Sequence, residues 1–397
     1  MSVYLDYQAA KPVDDRVIKE MLPYFNNKFG NPSSLHGDGD IATEVLKKSR
    51  SKIAEFINAP NASDIVFTSG ATESNNLALI GSAVRNKRNG NHIIISEIEH
   101  ISILNIAKYL ERQGFKVSRV PVDRFGIINL EKLKRLITDK TILISISMAS
   151  NEVGSLQPVK EVCEIATEKK ILFHTDAVAS EPVISIDVQK IPIDLLTLSS
   201  NDIYGPRGVG ALYLKKGVRV NPIIIGGGQE RGLRSGSENM PGIVGFAKAA
   251  EIMKKEIRDE ATRLKSLRDK LIQGVLDSVP SSYLNGHPTI RLPNNAHFRF
   301  DYIEGESLVL SLRDQKVSAA TGSACSSKTL EPSHTLIAMG LLHEEAHGSL
   351  LYSLGRFTKK SDIKRAIEVL PGIVKRLRIL SPLTPPELLE LYSEVNK

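Results

Sequence analysis

The sequence predicts an α/β fold: a mostly parallel seven-stranded sheet in a large domain, followed by a smaller C-terminal α+β domain. Three observations carry this. Short β-branched runs alternate with helix-period segments over roughly 150 residues. The texture changes after Gly245 to a long charged amphipathic pattern and then a mixed run of strands and helices. The chain has 397 residues, 41% of them hydrophobic, enough to bury more than one sizeable core.

The elements follow in order. IVFT (65–68), HIIIS (92–96), KVSRVPV (116–122), TILISIS (141–147), ILFHTD (171–176), LLTLSS (195–200) and GALYL (210–214) read as strands. Segments such as ESNNLALIGSAVRNKRNG and PVKEVCEIATEKK lie between them, with apolar residues three and four apart. In the latter, Val162, Ile165 and Ala166 form a stripe with Cys163 on its edge, which reads as inert core. Residues 247–279 predict one long helix joining the domains. Beyond it come an NGHP turn, a strand (HFRFDYI), a helix (GESLVLSLRD), a strand (KVSAA), a loop holding Cys325, a helix over 333–341, a strand (SLLYSLG) and a terminal helix from Ser361. The expected division is an N-terminal segment (1–15) packing on the small domain, a large domain (16–255) and a small domain (256–397).

Composition narrows the function. The net charge is +7, but Lys and Arg are interspersed with Asp and Glu, as in KKEIRDEATRLKSLRDK, and aromatics are only 5%. That is a solvated helix face, so no nucleic-acid partner is expected. No apolar run approaches a membrane span, and MSVYLDYQAAKPVDD lacks the basic-then-apolar order of a signal peptide. A cytoplasmic protein without a membrane partner is the expectation. Two cysteines make no disulfide framework and no four-thiolate metal site within one chain.

Several motifs could carry chemistry. SGATESNN (69–76) follows a strand and opens a helix, where small residues and the helix dipole suit a phosphate. Taken alone, the segment reads better as an ordinary Ser/Thr helix cap. HTDAVAS (174–180) puts Asp176 at the sheet's carboxyl edge, suited to a protonated ring nitrogen or to a turn. EIEH (97–100) places His100 at another strand end. TGSACSSKT (321–329) puts Cys325 in a Gly/Ser-rich loop, with Lys328 near enough to favour the thiolate. HEEAH (343–347) matches the zinc-peptidase pattern, but no third ligand is evident and the match runs straight into a strand. A zinc hydrolase is therefore a remote alternative. The chain has no Walker A or G-x-G-x-x-G segment.

Taken in order along nearly the whole chain, YLDYQAA, FGNPSS, FTSGATESNN, EIEH, SNEVG, HTDA, YGPRGVGALY, GGGQERGLRSG, YIEGES, TGSACSS, EPS and YSLGRF resemble the cysteine desulfurases. These are fold type I, class V aminotransferase-like pyridoxal-phosphate (PLP) enzymes. The resemblance implies a homodimer with active sites at the subunit boundary. It implies that Ala71, Thr72 and Ser199, with Ser237 from the neighbouring subunit, cradle the cofactor phosphate. His100 would stack on the pyridine ring, Asp176 pair with its nitrogen and Asn151 contact its 3-oxygen. Cys325 would take sulfur from L-cysteine as a persulfide and pass it to an IscU-like iron–sulfur scaffold protein.

Four positions depart from that pattern. The histidine and lysine that precede I-Y-G-P in the family are Asn201 and Asp202 here. A carboxylate cannot hold the cofactor covalently, and the guanidinium of Arg207 is no substitute. The glutamine after D-A-T is Ala179, and the arginine that clamps the substrate carboxylate is Leu351. The losses remove the amine, its neighbour and the clamp while the cofactor cup and Cys325 remain. The expected function is a sulfur-handling component of iron–sulfur cluster assembly with lysine-dependent desulfurase activity weak or lost. Cys325 would act as persulfide carrier or as a candidate iron–sulfur cluster ligand shared with the scaffold. Cys325, Asp202 and His100 are the candidate catalytic residues, with PLP or pyridoxamine phosphate bound noncovalently. The alternative is an active cysteine desulfurase that converts L-cysteine to L-alanine plus sulfur on noncovalent PLP.

Overall fold

The computed structural model describes residues 2–322 and 332–394. Seven strands form one sheet: Ile65–Thr68 (β1), His92–Ser96 (β2), Lys116–Val120 (β3), Thr141–Ser145 (β4), Leu172–Asp176 (β5), Leu195–Ser199 (β6) and Gly210–Leu214 (β7). Their order is β1-β7-β6-β5-β4-β2-β3. The run from β6 through β3 is parallel, and β7 alone is reversed against both neighbours. A parallel sheet is covered on both faces, so its strands read as continuous apolar runs. Ile93, Ile94 and Ile95 show this, since all three are buried. Ile94 joins Phe67, Ile144, Phe173, Leu196 and Phe246 on one face. Ile93 and Ile95 join Leu77, Leu143 and Leu212 on the other. Cys163 belongs to the first core, and burial pushes its thiol pKa up. β3 stops at Val120 rather than running to 122, because Pro121 has no N–H for the ladder.

The helix Met240–Ser278 starts earlier than its sequence pattern suggested. Asn239 caps it by accepting from the Gly242 N–H at 3.1 Å, and a proline occupies its first turn. Ile243, Phe246, Met253 and Ile257 pack into the core on one face of the seven-stranded sheet. Leu264, Leu267, Leu271 and Val275 pack into a second core with Phe298, Phe300, Leu350 and Tyr352. That second core lies beside an antiparallel sheet of Ser282–Asn285 (β8), Asn295–Phe300 (β9) and Ser349–Ser353 (β10), in the order β10-β9-β8. The KVSAA segment gives only the short strand Val317–Ser318, paired in parallel with Val3–Tyr4. The helix expected over 333–341 is shorter, His334–Ala338, and Gly340 at φ +91° follows it. Among the described residues no helix is long and apolar enough to cross a membrane.

Candidate active site

A chamber of about 350 Å³ opens at the carboxyl ends of β1, β2, β4, β5 and β6, where ligands sit in sheets of this kind. Each wall is placed by a strand end. After β1 the chain turns at Gly70, whose φ of +152° suits a residue without Cβ, and the helix Ala71–Asn86 begins. Gly70 offers no side chain to cap that helix. Its first-turn N–H groups therefore lack a side-chain cap, and Ala71 and Thr72 at that helix start line the chamber, an arrangement suited to an anion. Glu73 accepts from the Ser69 N–H at 2.8 Å and pairs with Arg234 at 3.0 Å. Burial opposes its charge, but Arg234 and Ser69 outweigh that and hold the carboxyl below its usual range.

His100 follows β2 and caps the helix Ile101–Arg112. Its Nδ1 accepts from the Ser102 N–H at 3.2 Å, leaving the ring proton on Nε2 in the neutral form. Asp176 ends β5 and is buried. Its Oδ2 accepts from Asn75 Nδ2 at 2.8 Å and its Oδ1 from the Val178 N–H at 3.0 Å. Burial raises its pKa, the charge of Asp202 adds to the rise, and Asn75, Val178 and His100 oppose it. Asn151 and Ala179 also line the chamber.

Ser199 ends β6, and its hydroxyl donates to Asn201 Oδ1 at 2.9 Å. Asp202 follows in a short turn, Asn201–Ile203. Its Oδ2 accepts from Asn201 Nδ2 at 2.9 Å and its Oδ1 from Lys11 Nζ at 2.8 Å. No lysine lines the chamber among the described residues. Ser237 is exposed and does not reach this chamber within one chain. Cys325 and Lys328 lie outside the described residues. Leu351 is buried in β10 but stands apart from the core that takes Leu350 and Tyr352, as strand alternation requires. Its backbone pairs with Ala320 in both directions, at 2.7 and 3.1 Å.

Three site groups escaped the sequence reading. Lys11 directly follows the YLDYQAA segment, which the resemblance used without singling out the lysine. Glu181 is buried, accepts from the Ser199 N–H at 2.8 Å, and leaves Oε2 without a partner among the described residues. Glu99, one residue before His100, accepts from the Ser147 N–H at 2.9 Å and from the Ser147 hydroxyl. Burial pushes its pKa up to about 8. A charge count was the one available signal, because a cleft with Asp176 and Asp202 and no lysine calls for a cation.

HEEAH forms the short helix His343–His347 with both histidines exposed. Its Glu345 pairs with Arg299 at 3.0 Å. Among the described residues no cluster of three metal-ligating side chains occurs.

The lining of the chamber suits pyridoxal phosphate. A helix N-terminus without a side-chain cap suits the phosphate, Asp176 a ring nitrogen and His100 a ring face. Comparison with known proteins gives the family. The aminotransferase class-V family matches residues 3–366. The chain is 59% identical over 380 residues to a protein named cysteine desulfurase IscS 1 from Archaeoglobus fulgidus, covering 96% of this chain and 99% of that one. It is 50% identical to cysteine desulfurase IscS from Methanosarcina thermophila, covering 97% and 95%. Among solved structures, a NifS-like protein superposes with a TM-score of 0.89 at 38% identity, over 95% of this chain and 100% of that one. The fold is the fold type I architecture of pyridoxal-phosphate enzymes, and the chain belongs to the class-V aminotransferase family, in its cysteine desulfurase-like group.

Proposed function

We infer that the chain is a cysteine desulfurase that works on noncovalently held pyridoxal phosphate and serves iron–sulfur cluster assembly. The observation that carries this is the chamber, with Asp176, His100 and an uncapped helix start around it, in a chain 59% identical to a named cysteine desulfurase. Names at 47–59% identity favour retained desulfurase chemistry over the weak or lost activity expected from Asp202 alone.

The cofactor, when bound, supplies the electron sink for breaking bonds at the amino-acid carbon. The chain's own groups do the rest. The helix start at Ala71 and Thr72 would hold the phosphate, with Ser199 once its hydroxyl leaves Asn201. Asp176, fixed by Asn75, would pair with the ring nitrogen and favour its protonated form, and Asn151 would serve the 3-oxygen. His100 would cover the ring, and Asp202 would exchange protons with the substrate. Cys325 takes the sulfur: its thiol and cysteine give a persulfide and alanine, with no net oxidation. A homodimer would bring Ser237 of the partner subunit to the phosphate, and a scaffold protein would receive the sulfur.

The test is alanine release from L-cysteine with and without added cofactor. Turnover that requires pyridoxal phosphate and disappears in Cys325→Ala supports the reading. No alanine at saturating cofactor removes it and leaves a second reading, a sulfur carrier or cluster ligand without turnover. The Asp202 and Leu351 replacements favour that second reading.

A further inference from the structure

We propose that Lys11 is the positioning residue of this chamber: it reaches in from the N-terminal segment and holds Asp202 as a carboxylate at the wall, so that the base there is Asp202 and not a lysine amine. The proposal rests on the desulfurase reading only in giving that base a substrate. The clamp itself stands on geometry.

Both side chains are nearly buried, with 6% of Lys11 and 12% of Asp202 exposed, and Nζ lies 2.8 Å from Oδ1. The other carboxylate oxygen accepts from Asn201 Nδ2 at 2.9 Å. A carboxyl group whose two oxygens both receive donors is acting as an acceptor only, as the ionised form does. That charge stands among other acids. Asp176 and Glu181 are both buried, and the charge of Asp202 raises the pKa of each, after burial itself. Lys11 works in the opposite direction on Glu181. The remaining titratable groups lining the chamber are His100 and Glu73, and Glu73 is already paired with Arg234. Two carboxylates at close range resist joint ionisation unless a cation compensates, and Lys11 is placed to do so.

The lysine is held from both sides. Upstream, the Gln8 N–H donates to Ser353 Oγ at 2.7 Å and the Leu5 N–H to the Ser318 carbonyl at 3.0 Å. Downstream, the Asp14 N–H donates to the Tyr204 carbonyl at 3.0 Å, two residues beyond Asp202. Lys11 does not itself line the chamber, so it acts through Asp202.

Infrared titration of the protein without added cofactor reads the proton on Asp202. In the wild type and Lys11→Arg, the Asp202-dependent protonated-carboxyl band should appear at the same pH as acid is added. In Lys11→Met that band should appear at higher pH, and Lys11→Met combined with Asp202→Asn should lack it. The midpoint for that proton should rise by about one pH unit or more in Lys11→Met, tenfold in proton affinity. A Lys11→Met protein with the wild-type band pattern overturns the proposal. Should Lys11→Met fail to fold, the charge swap Lys11→Asp with Asp202→Lys is the second test. Thermal stability restored above both single variants supports direct pairing, and stability no better than the singles overturns it. Wild type that forms no alanine sinks the desulfurase reading while leaving these outcomes untouched.

Discussion

Asn75 Nδ2 lies 2.8 Å from Asp176 Oδ2, so a side chain in the second turn of one helix fixes the acid at the end of a different strand. The pair joins the phosphate end of the chamber to the ring-nitrogen end through one buried hydrogen bond. Asp176→Asn should therefore weaken pyridoxal phosphate binding by about 1.5–3 kcal/mol, the worth of a charge-assisted bond, or more than tenfold. Asn75→Ala should weaken it less, because Val178 still holds Oδ1. Equilibrium titration of cofactor absorbance measures both.

Asp202→Lys should give covalent attachment of added cofactor, fixed by borohydride and located by mass spectrometry. The new amine would stand beside Lys11, which now sits 2.8 Å from the carboxylate. Two ammonium groups at that range depress each other's pKa and leave one amine neutral near pH 7. Attachment should thus occur at lower pH than for an isolated lysine. No attachment at any pH would count against the chamber as the cofactor site.

Leu351→Arg, made in the Asp202→Lys background, should tighten binding of cysteine by about 1.5–3 kcal/mol through a charge-assisted carboxylate contact. The position faces away from the core beside the three-stranded sheet, so a long polar side chain there does not invade Leu350 or Tyr352. Spectral titration with alanine, which carries the same carboxylate, gives the value without turnover. An unchanged affinity would show that the side chain does not reach the substrate.

Glu99 should make stability fall as pH rises. Its carboxyl titrates at about 8 in the fold against 4.5 in the open chain. Between those values the folded state binds the extra proton, so folding is favoured fully below about 4.5 and the advantage is lost by about 8. Glu99→Gln should flatten that slope, with a difference of a few kcal/mol at 1.36 kcal/mol per pH unit. Thermal melts across this window measure it. A parallel slope in both proteins would place the titrating group elsewhere.

The sheet was legible because both its faces are buried, which leaves uninterrupted runs such as HIIIS and LLTLS. The residues that the family resemblance singled out for the cofactor, Ser237 excepted, sit at strand ends and line one chamber. Lys11, Glu99 and Glu181 were not legible. Their roles arise from partners far along the chain, 191 residues apart for Lys11 and Asp202, and no local pattern encodes such a meeting. Ala179 and Leu351 could be read as replaced positions, but only the fold shows that Ala179 lines the chamber and that Leu351 turns away from its core. The short strand Val317–Ser318 looked longer in sequence because β-propensity cannot tell pairing from mere extension.

The helix Met240–Ser278 carries a different kind of consequence. At 39 residues it is about 58 Å long, and it lends its first half to one core and its second half to the other. A cut near residue 255 would strip each core of part of its wall and expose an apolar stripe on each fragment. The two units should therefore melt in a single transition, and limited proteolysis should not release either as a stable piece. Any opening between them must be accommodated by bending one continuous rod.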